Sequence, residues 1–183
     1  INGKWVNPVI KNDLKVINPS NEVAYATISL GTKNDVNLAV DSAKNSFLTW
    51  SNVSKKEKIK LLEKLLSIYK NRWDDITQTI SEEMGAPLDW SSSAQTASGA
   101  DHINDFIKRL KEFDFEKKFE NNSNNFIVYE PIGVCGLITP WNWPINQITL
   151  KVIPALASGC TMILKPSEIA PLSGMLFAEI IDE

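Results

Sequence analysis

The sequence predicts an α/β protein built on a parallel βαβ unit, and three observations in residues 133–183 predict it. An apolar run from Val134 to Ile138 reads as a buried strand. A helical pattern follows, opened by Pro144, which suits the first helical position, and stopped after Ser158 by Gly159. A second short run, Thr161 to Lys165, reads as the next strand, and Pro171 opens another helix. Two strands joined by a crossover helix form a parallel pair, almost always with a right-handed connection.

The upstream elements follow from local signals. "KWVNPVI" and "EVAYATISL" read as short strands, with "NPSN" at 18–21 as a turn. Thr32 and Asp35 make a capping box, and Val36, Ala39, Val40, Ala43 and Phe47 follow at helical spacing, which predicts a helix over 34–50. Ser54 and Glu57 repeat the capping signature. Behind them Ile59, Leu62, Leu66, Tyr69, Trp73, Ile76, Ile80 and Met84 fall on one face of a long helix that Gly85 and Pro87 end. A third helix, of weaker periodicity, covers 89–113. Residues 114–131 then alternate with a period of two and read as a ribbon of two strands joined near 121–125. A two-stranded ribbon buries little by itself, so it is expected to pack on another domain or subunit.

Composition narrows the function. A chain of 183 residues with 43% hydrophobic and 22% charged content fits a soluble globular protein with a substantial core. The net charge of -3 implies no large basic surface, so nucleic acid is not an expected partner. No apolar run approaches the ~20 residues of a membrane span, and the N-terminal stretch has no signal-peptide architecture. Two cysteines, Cys135 and Cys160, both in apolar sequence, read as reduced core thiols of a cytoplasmic protein. No metal site is expected, because His102, the one histidine, has no second ligand at a useful spacing.

Ligands of open α/β sheets bind beyond the carboxyl ends of the strands. Two loops occupy those ends here, "TPWNWP" and "KPSE". The glycine fingerprint G-x-G-x-x-G is absent. Glu168 nevertheless stands near the place where an acidic residue commonly bonds a ribose, and Lys165 ends the strand. The other reading is an ordinary exposed pair at a helix start. Asn142 is held between two prolines and two tryptophans. Its amide can aim N–H donors at a negative oxygen, or it can simply cap its own helix.

"PWNWP" followed by "PALASGCTMILKPSEIAPLS" resembles the NAD(P)-dependent aldehyde dehydrogenases. The resemblance extends back through "EPIGVCGLITPWNWP" and "SEEMGAP" to "VINPSNEV" and "INGKWV", and so covers essentially the whole chain. It implies the N-terminal part of that family's fold: a Rossmann-like βαβ unit without the glycine fingerprint, preceded by short strands and a wrap of long helices. Residues 1–113 and 132–183 would belong to the NAD-binding domain and 114–131 to the β-ribbon arm of the oligomerisation region, with the catalytic domain absent.

The resemblance also implies roles. Asn142 would donate its amide N–H to the oxyanion formed when a cysteine thiolate attacks the aldehyde. Lys165 and Glu168 would hold the adenosine ribose, and Ile138, Thr139, Pro140 and Trp141 would line the cofactor cleft. The family reaction runs through a thiohemiacetal, hydride transfer to the nicotinamide, and a thioester that a glutamate-activated water hydrolyses. Neither Cys135 nor Cys160 matches the motif of the nucleophile, and the general-base glutamate lies downstream of "KPSE" in the family. The chain alone is therefore expected to be inactive, as a piece of a longer, homo-oligomeric enzyme (dimer or tetramer) that takes an aldehyde and prefers NAD to NADP. Two alternatives stay open: a non-catalytic nucleotide-binding or interaction module, and a relative that passes the acyl group to coenzyme A.

Overall fold

A computed structural model describes residues 1–120 and 124–183. The chain starts with an irregular segment and an antiparallel hairpin of β1 (Asp13–Asn18) and β2 (Val23–Ser29), whose register pairs Asp13 with Ser29. The strand expected over "KWVNPVI" does not form. Pro8, inside the segment, has no N–H to give a ladder. Instead Trp5 Nε1 donates to Asp182 at 3.1 Å and the Val9 N–H to Asp35 at 2.8 Å.

Helix α1 (Lys33–Trp50) begins where expected, with the Thr32–Asp35 capping box in place. The long stripe of 59–84 is divided into α2 (Lys55–Asn71) and α3 (Trp73–Met84). The break falls at Arg72, with φ −98° and ψ 19°, and no glycine or proline marks it. Its cause is tertiary. The Arg72 guanidinium binds Asp75 in its own next turn together with Glu179 and Glu183 at the far end of the chain. On either side of the break, α2 packs on α5 and α6, while α3 turns toward α7 and β1. Helix α3 ends on Gly85 in the left-handed region (φ 77°), as the Gly-x-Pro signal requires.

The third helical region consists of a short turn, α4 (Leu88–Trp90), a π-helical segment Ser91–Thr96 and α5 (Ala97–Glu112). The bulge explains the weak periodicity of this stretch, because an i→i+5 segment shifts the apolar face. The ribbon follows as β3 (Glu116–Lys118) and β4 (Phe126–Val128), antiparallel, with Lys117 opposite Ile127. The expected junction includes 121–123, which lie outside the described residues. Phe126 and Val128 are both more than half exposed.

The βαβ unit forms as expected. Strand β5 (Val134–Ile138) runs parallel to β6 (Thr161–Lys165), with Val134 opposite Thr161 and Ile138 opposite Lys165. Helix α6 (Pro144–Ser158) crosses over between them, continuous through Pro154, and stops at Gly159 with φ 89°. Helix α7 (Leu172–Asp182) follows. The expectation of a buried β5 fails in part. Ile138 is 72% exposed, because β5 has a strand neighbour on one edge only among the described residues.

The core lies between the helical layer and α6. Leu62, Tyr69, Ile76 and Ile80 from the long stripe meet Ile103 and Ile107 of α5, Ile145, Ile148, Val152 and Ile153 of α6, and Phe177 and Ile180 of α7. Each fully buried aliphatic side chain contributes ~1.5–3 kcal/mol, so this cluster fixes the crossover helix firmly. That matters for function, because the first turn of α6 carries the loop that ends in Trp143.

Candidate functional site

Two loops meet beyond the carboxyl ends of β5 and β6. The Thr139 N–H donates to the Lys165 carbonyl at 3.2 Å, which extends the parallel ladder by one rung and ties the loops together. Thr139 is buried, and its hydroxyl has no hydrogen-bond partner among the described residues. Ile138, Pro140 and Trp141 are exposed around it.

The next residues turn sharply into α6. Trp143 is the residue before the helix and adopts a left-handed conformation, φ 57° and ψ 54°. A bulky residue there costs ~1–3 kcal/mol, and such strain persists only where the surroundings enforce it. Here Pro144 fixes the first helical residue, and the Trp143 ring packs edge-on against Trp90 with centroids 5.9 Å apart. Asn142 precedes this turn, so it is not the capping residue, and no side chain caps the helix. The Asn142 amide is exposed and makes no hydrogen bond among the described residues. An amide that serves neither its own helix nor a neighbour is free to donate to a ligand.

On the second loop, Lys165 Nζ and Glu168 Oε2 form an ion pair at 2.7 Å, with both side chains at least half exposed. The Lys165 ammonium holds the Glu168 carboxyl below its ordinary range, so the group is an anion at neutral pH. The pair presents one carboxylate and one ammonium beside the Thr139–Trp141 loop, a donor and acceptor set that suits the hydroxyls of a sugar.

The two cysteines are placed differently. Cys135 is the second residue of β5 and Cys160 immediately precedes β6, so both stand toward the amino ends of the strands. Three residue steps of strand separate Cys135 from Ile138, about 10 Å, and Asn142 lies further along the chain. Burial pushes the Cys135 thiol up, and Cys160 is 4% exposed. A cavity of about 890 Å³ lies between α1, β6 and α7, lined by Val36, Ala43, Leu164 and Ala178 and reaching Lys165 at one end. The loop 139–142 does not line it.

The model of the aldehyde dehydrogenase family matches residues 5–183. The chain belongs to the aldehyde dehydrogenase family. Its sequence is 48% identical to a 3-succinoylsemialdehyde-pyridine dehydrogenase of a Pseudomonas species over 184 aligned residues. That alignment covers all of this chain and 38% of the relative, so the chain spans well under half the length of the curated relatives it matches. An aldehyde dehydrogenase structure from Bartonella henselae superposes with a TM-score of 0.97 at 55% identity, over 100% of this chain and 38% of that one. Aldehyde dehydrogenase C from Pseudomonas syringae, solved as a variant with NAD+ and octanal, superposes with a TM-score of 0.96 at 38% identity, over 100% and 37% of the two chains. No helix among the described residues is long and apolar enough to cross a membrane.

Three features of this aldehyde dehydrogenase chain escape sequence reasoning. The Asn146 amide donates to His102 Nε2 at 2.9 Å, fastening the first turn of α6 to α5. Burial lowers the His102 pKa against the pull of Asp101 and Asp105, which suits a neutral imidazole accepting that bond. No local signal links positions 44 residues apart. The left-handed Trp143 is equally unsignalled, since aromatic residues rarely adopt that conformation. Glu83 is fully buried and hydrogen-bonded to the start of α7. It had a legible trace: it stands three residues after Ile80, on the apolar stripe, where a carboxylate survives only with partners.

Proposed function

We propose that the chain is the N-terminal part of an enzyme that oxidises an aldehyde to a carboxylic acid with NAD. The observation that carries this reading is the Asn142 amide. It is exposed and unpartnered among the described residues, on a loop stiffened by two prolines and a strained Trp143, beyond the carboxyl end of β5. An aldehyde carbonyl becomes an oxyanion on nucleophilic attack, and a fixed donor that costs no reorganisation stabilises that charge.

The residues present fit the adenosine end of NAD, which supplies the electron acceptor when bound. Glu168, held ionised by Lys165, accepts hydrogen bonds from the ribose hydroxyls, and Lys165 donates to them. The unpartnered, buried Thr139 hydroxyl and the exposed Ile138, Pro140 and Trp141 supply the adjoining wall. The thiolate and the general base come from sequence outside these 183 residues, and the 38% coverage of the relatives supports that. The 183 residues alone are therefore inactive, since Cys135 and Cys160 sit toward the wrong end of the strands. In the full-length enzyme Cys135→Ser and Cys160→Ser keep turnover within about three-fold of wild type; a hundred-fold loss in either would return that thiol to the reaction.

Glu168 also sets cofactor choice. A 2′-phosphate would bring negative charge against the carboxylate, with only the Lys165 ammonium to offset it. Glu168→Gln is expected to lower kcat/KM for NAD by about five-fold, the order expected for losing the charge on one exposed hydrogen-bond acceptor, and to narrow the NAD/NADP ratio. The measurement is kcat/KM with both cofactors for wild type and variant. An unchanged ratio would show that Glu168 does not face the ribose.

A further inference from the structure

We infer that Glu83 is a positioning residue for the cofactor-facing segment 165–168, acting through the first turn of α7. The inference rests on the ribose reading of that segment given above. Glu83 is the penultimate residue of α3 and is 1% exposed. Its carboxylate accepts three hydrogen bonds, all from the start of α7. The Leu172 N–H donates to Oε2 at 2.6 Å, the Ser173 N–H to Oε1 at 3.0 Å, and the Ser173 hydroxyl to the same Oε1. These N–H groups have no partner within their own helix, and the positive end of the helix dipole favours an anion beside them. Burial raises the Glu83 pKa, and the three donors work against that rise.

The same turn of α7 is the seat of the loop. A Cβ built on Gly174 would stand 2.9 Å from Pro166 Cγ and 3.1 Å from its Cβ, so the glycine lets the Pro166 ring pack directly on the α7 backbone. Pro166 directly follows Lys165, the last residue of β6. The loop therefore hangs between two supports, the strand at one end and the α7 turn at the other. Beyond the Thr139 bond to the Lys165 carbonyl, residues 166–169 make local contacts: the Lys165–Glu168 ion pair and a 3.3 Å bond from the Ile169 N–H to the Ser167 hydroxyl. Phe177 and Ile180 pack the body of α7 into the core, and its first turn is held to the helical layer by a carboxylate 90 residues away from Ser173 in sequence. Shifting the α7 turn shifts Pro166, and with it the presentation of Lys165 and Glu168.

A double-mutant cycle in the full-length enzyme tests this. Glu83→Gln keeps the shape but turns an amide N–H₂ toward one of the α7 donors. Kd for NAD, read by fluorescence titration, is expected to rise about five-fold, with kcat at saturating NAD within about two-fold. Ser173→Ala removes one of the three bonds and gives a smaller rise in the same direction, so the proposal stays testable if Glu83→Gln folds poorly. In a Glu168→Gln background the Glu83→Gln effect is expected to shrink to about two-fold, the part carried by Lys165. A lowered thermal midpoint with unchanged Kd in both variants would make Glu83 a structural helix cap and overturn the inference. A full Glu83→Gln effect in the Glu168→Gln background would overturn it too, because the route would bypass Glu168. If Glu168→Gln itself leaves NAD binding unchanged, the ribose reading falls first and this inference falls with it.

Discussion

Replacing Asn142 with alanine in the full-length enzyme is expected to slow turnover ~10²- to 10³-fold, a loss of ~3–4 kcal/mol of transition-state stabilisation. The donor acts only after attack has placed charge on the carbonyl oxygen, so NAD affinity should stay within about two-fold. Stability should also hold, because the residue before α6 is Trp143 and the Asn142 side chain caps nothing. Single-turnover NADH formation, NAD titration and a thermal melt together separate the outcomes. Turnover within a few-fold of wild type would remove Asn142 from the chemistry. A large fall in melting temperature with turnover intact would make it a determinant of loop structure alone.

Gly99→Ala is expected to be the most destabilising conservative change in the helical layer, costing ~3 kcal/mol, at the upper end for overpacking by one methyl group. A Cβ at Gly99 would fall 2.2 Å from the Tyr69 hydroxyl and 2.6 Å from Ile145 Cγ2. Neither neighbour has room to yield. Tyr69 is fully buried, and its hydroxyl donates to the Thr96 carbonyl at 2.8 Å, while Ile145 is buried in the first turn of α6. The methyl group must therefore break the Tyr69–Thr96 bond or push α6 away from α5. The second course moves Trp143 and Asn142, so activity should fall together with stability. The check is the denaturant midpoint at constant slope. Tyr69→Phe in the Gly99→Ala background removes the closest clashing atom and should recover part of the loss, although Tyr69→Phe alone costs about 1 kcal/mol for the lost hydrogen bond. Additive losses in the double variant would mean that the methyl group is accommodated elsewhere.

The βαβ frame that carries the candidate site was legible in the sequence. Strand ends and helix starts along 134–172 carry local signals: Pro144 at the first helical position, Gly159 in the left-handed stop, and a strand length that closes the parallel pair in register. Loops beyond the carboxyl ends of parallel strands are where ligands bind, so Asn142, Lys165 and Glu168 could be singled out before any coordinates. Between a capping and a free amide at Asn142 the residues alone did not choose. The backbone did, by placing the turn at Trp143.

Other elements differ from the sequence expectation for reasons that share a cause. The strand expected in 4–10 has a suitable apolar content, but its Val9 N–H goes to Asp35 and its Trp5 ring to Asp182 rather than into a ladder. The single long helix expected over 59–84 has an unbroken periodicity, yet the chain turns at Arg72, where α2 packs on α5 and α6 and α3 on α7 and β1. Strand β5 has a core strand's composition, but its exposure depends on what lies beside and above it.

What the sequence by itself determined is the local grammar of this aldehyde dehydrogenase chain: which stretches are apolar and with what period, where glycine and proline stop or start a helix, and which polar residues stand at the ends of parallel strands. These are set by steric and hydrogen-bonding preferences that act over a few residues, and they survive in any tertiary context. Only the tertiary structure decided where the helical layer breaks, why Trp143 holds a left-handed turn against Trp90, and that Glu83 reaches across to grip α7. Each of those depends on groups brought together from 53 to 111 positions apart, and no local preference encodes a meeting at that range.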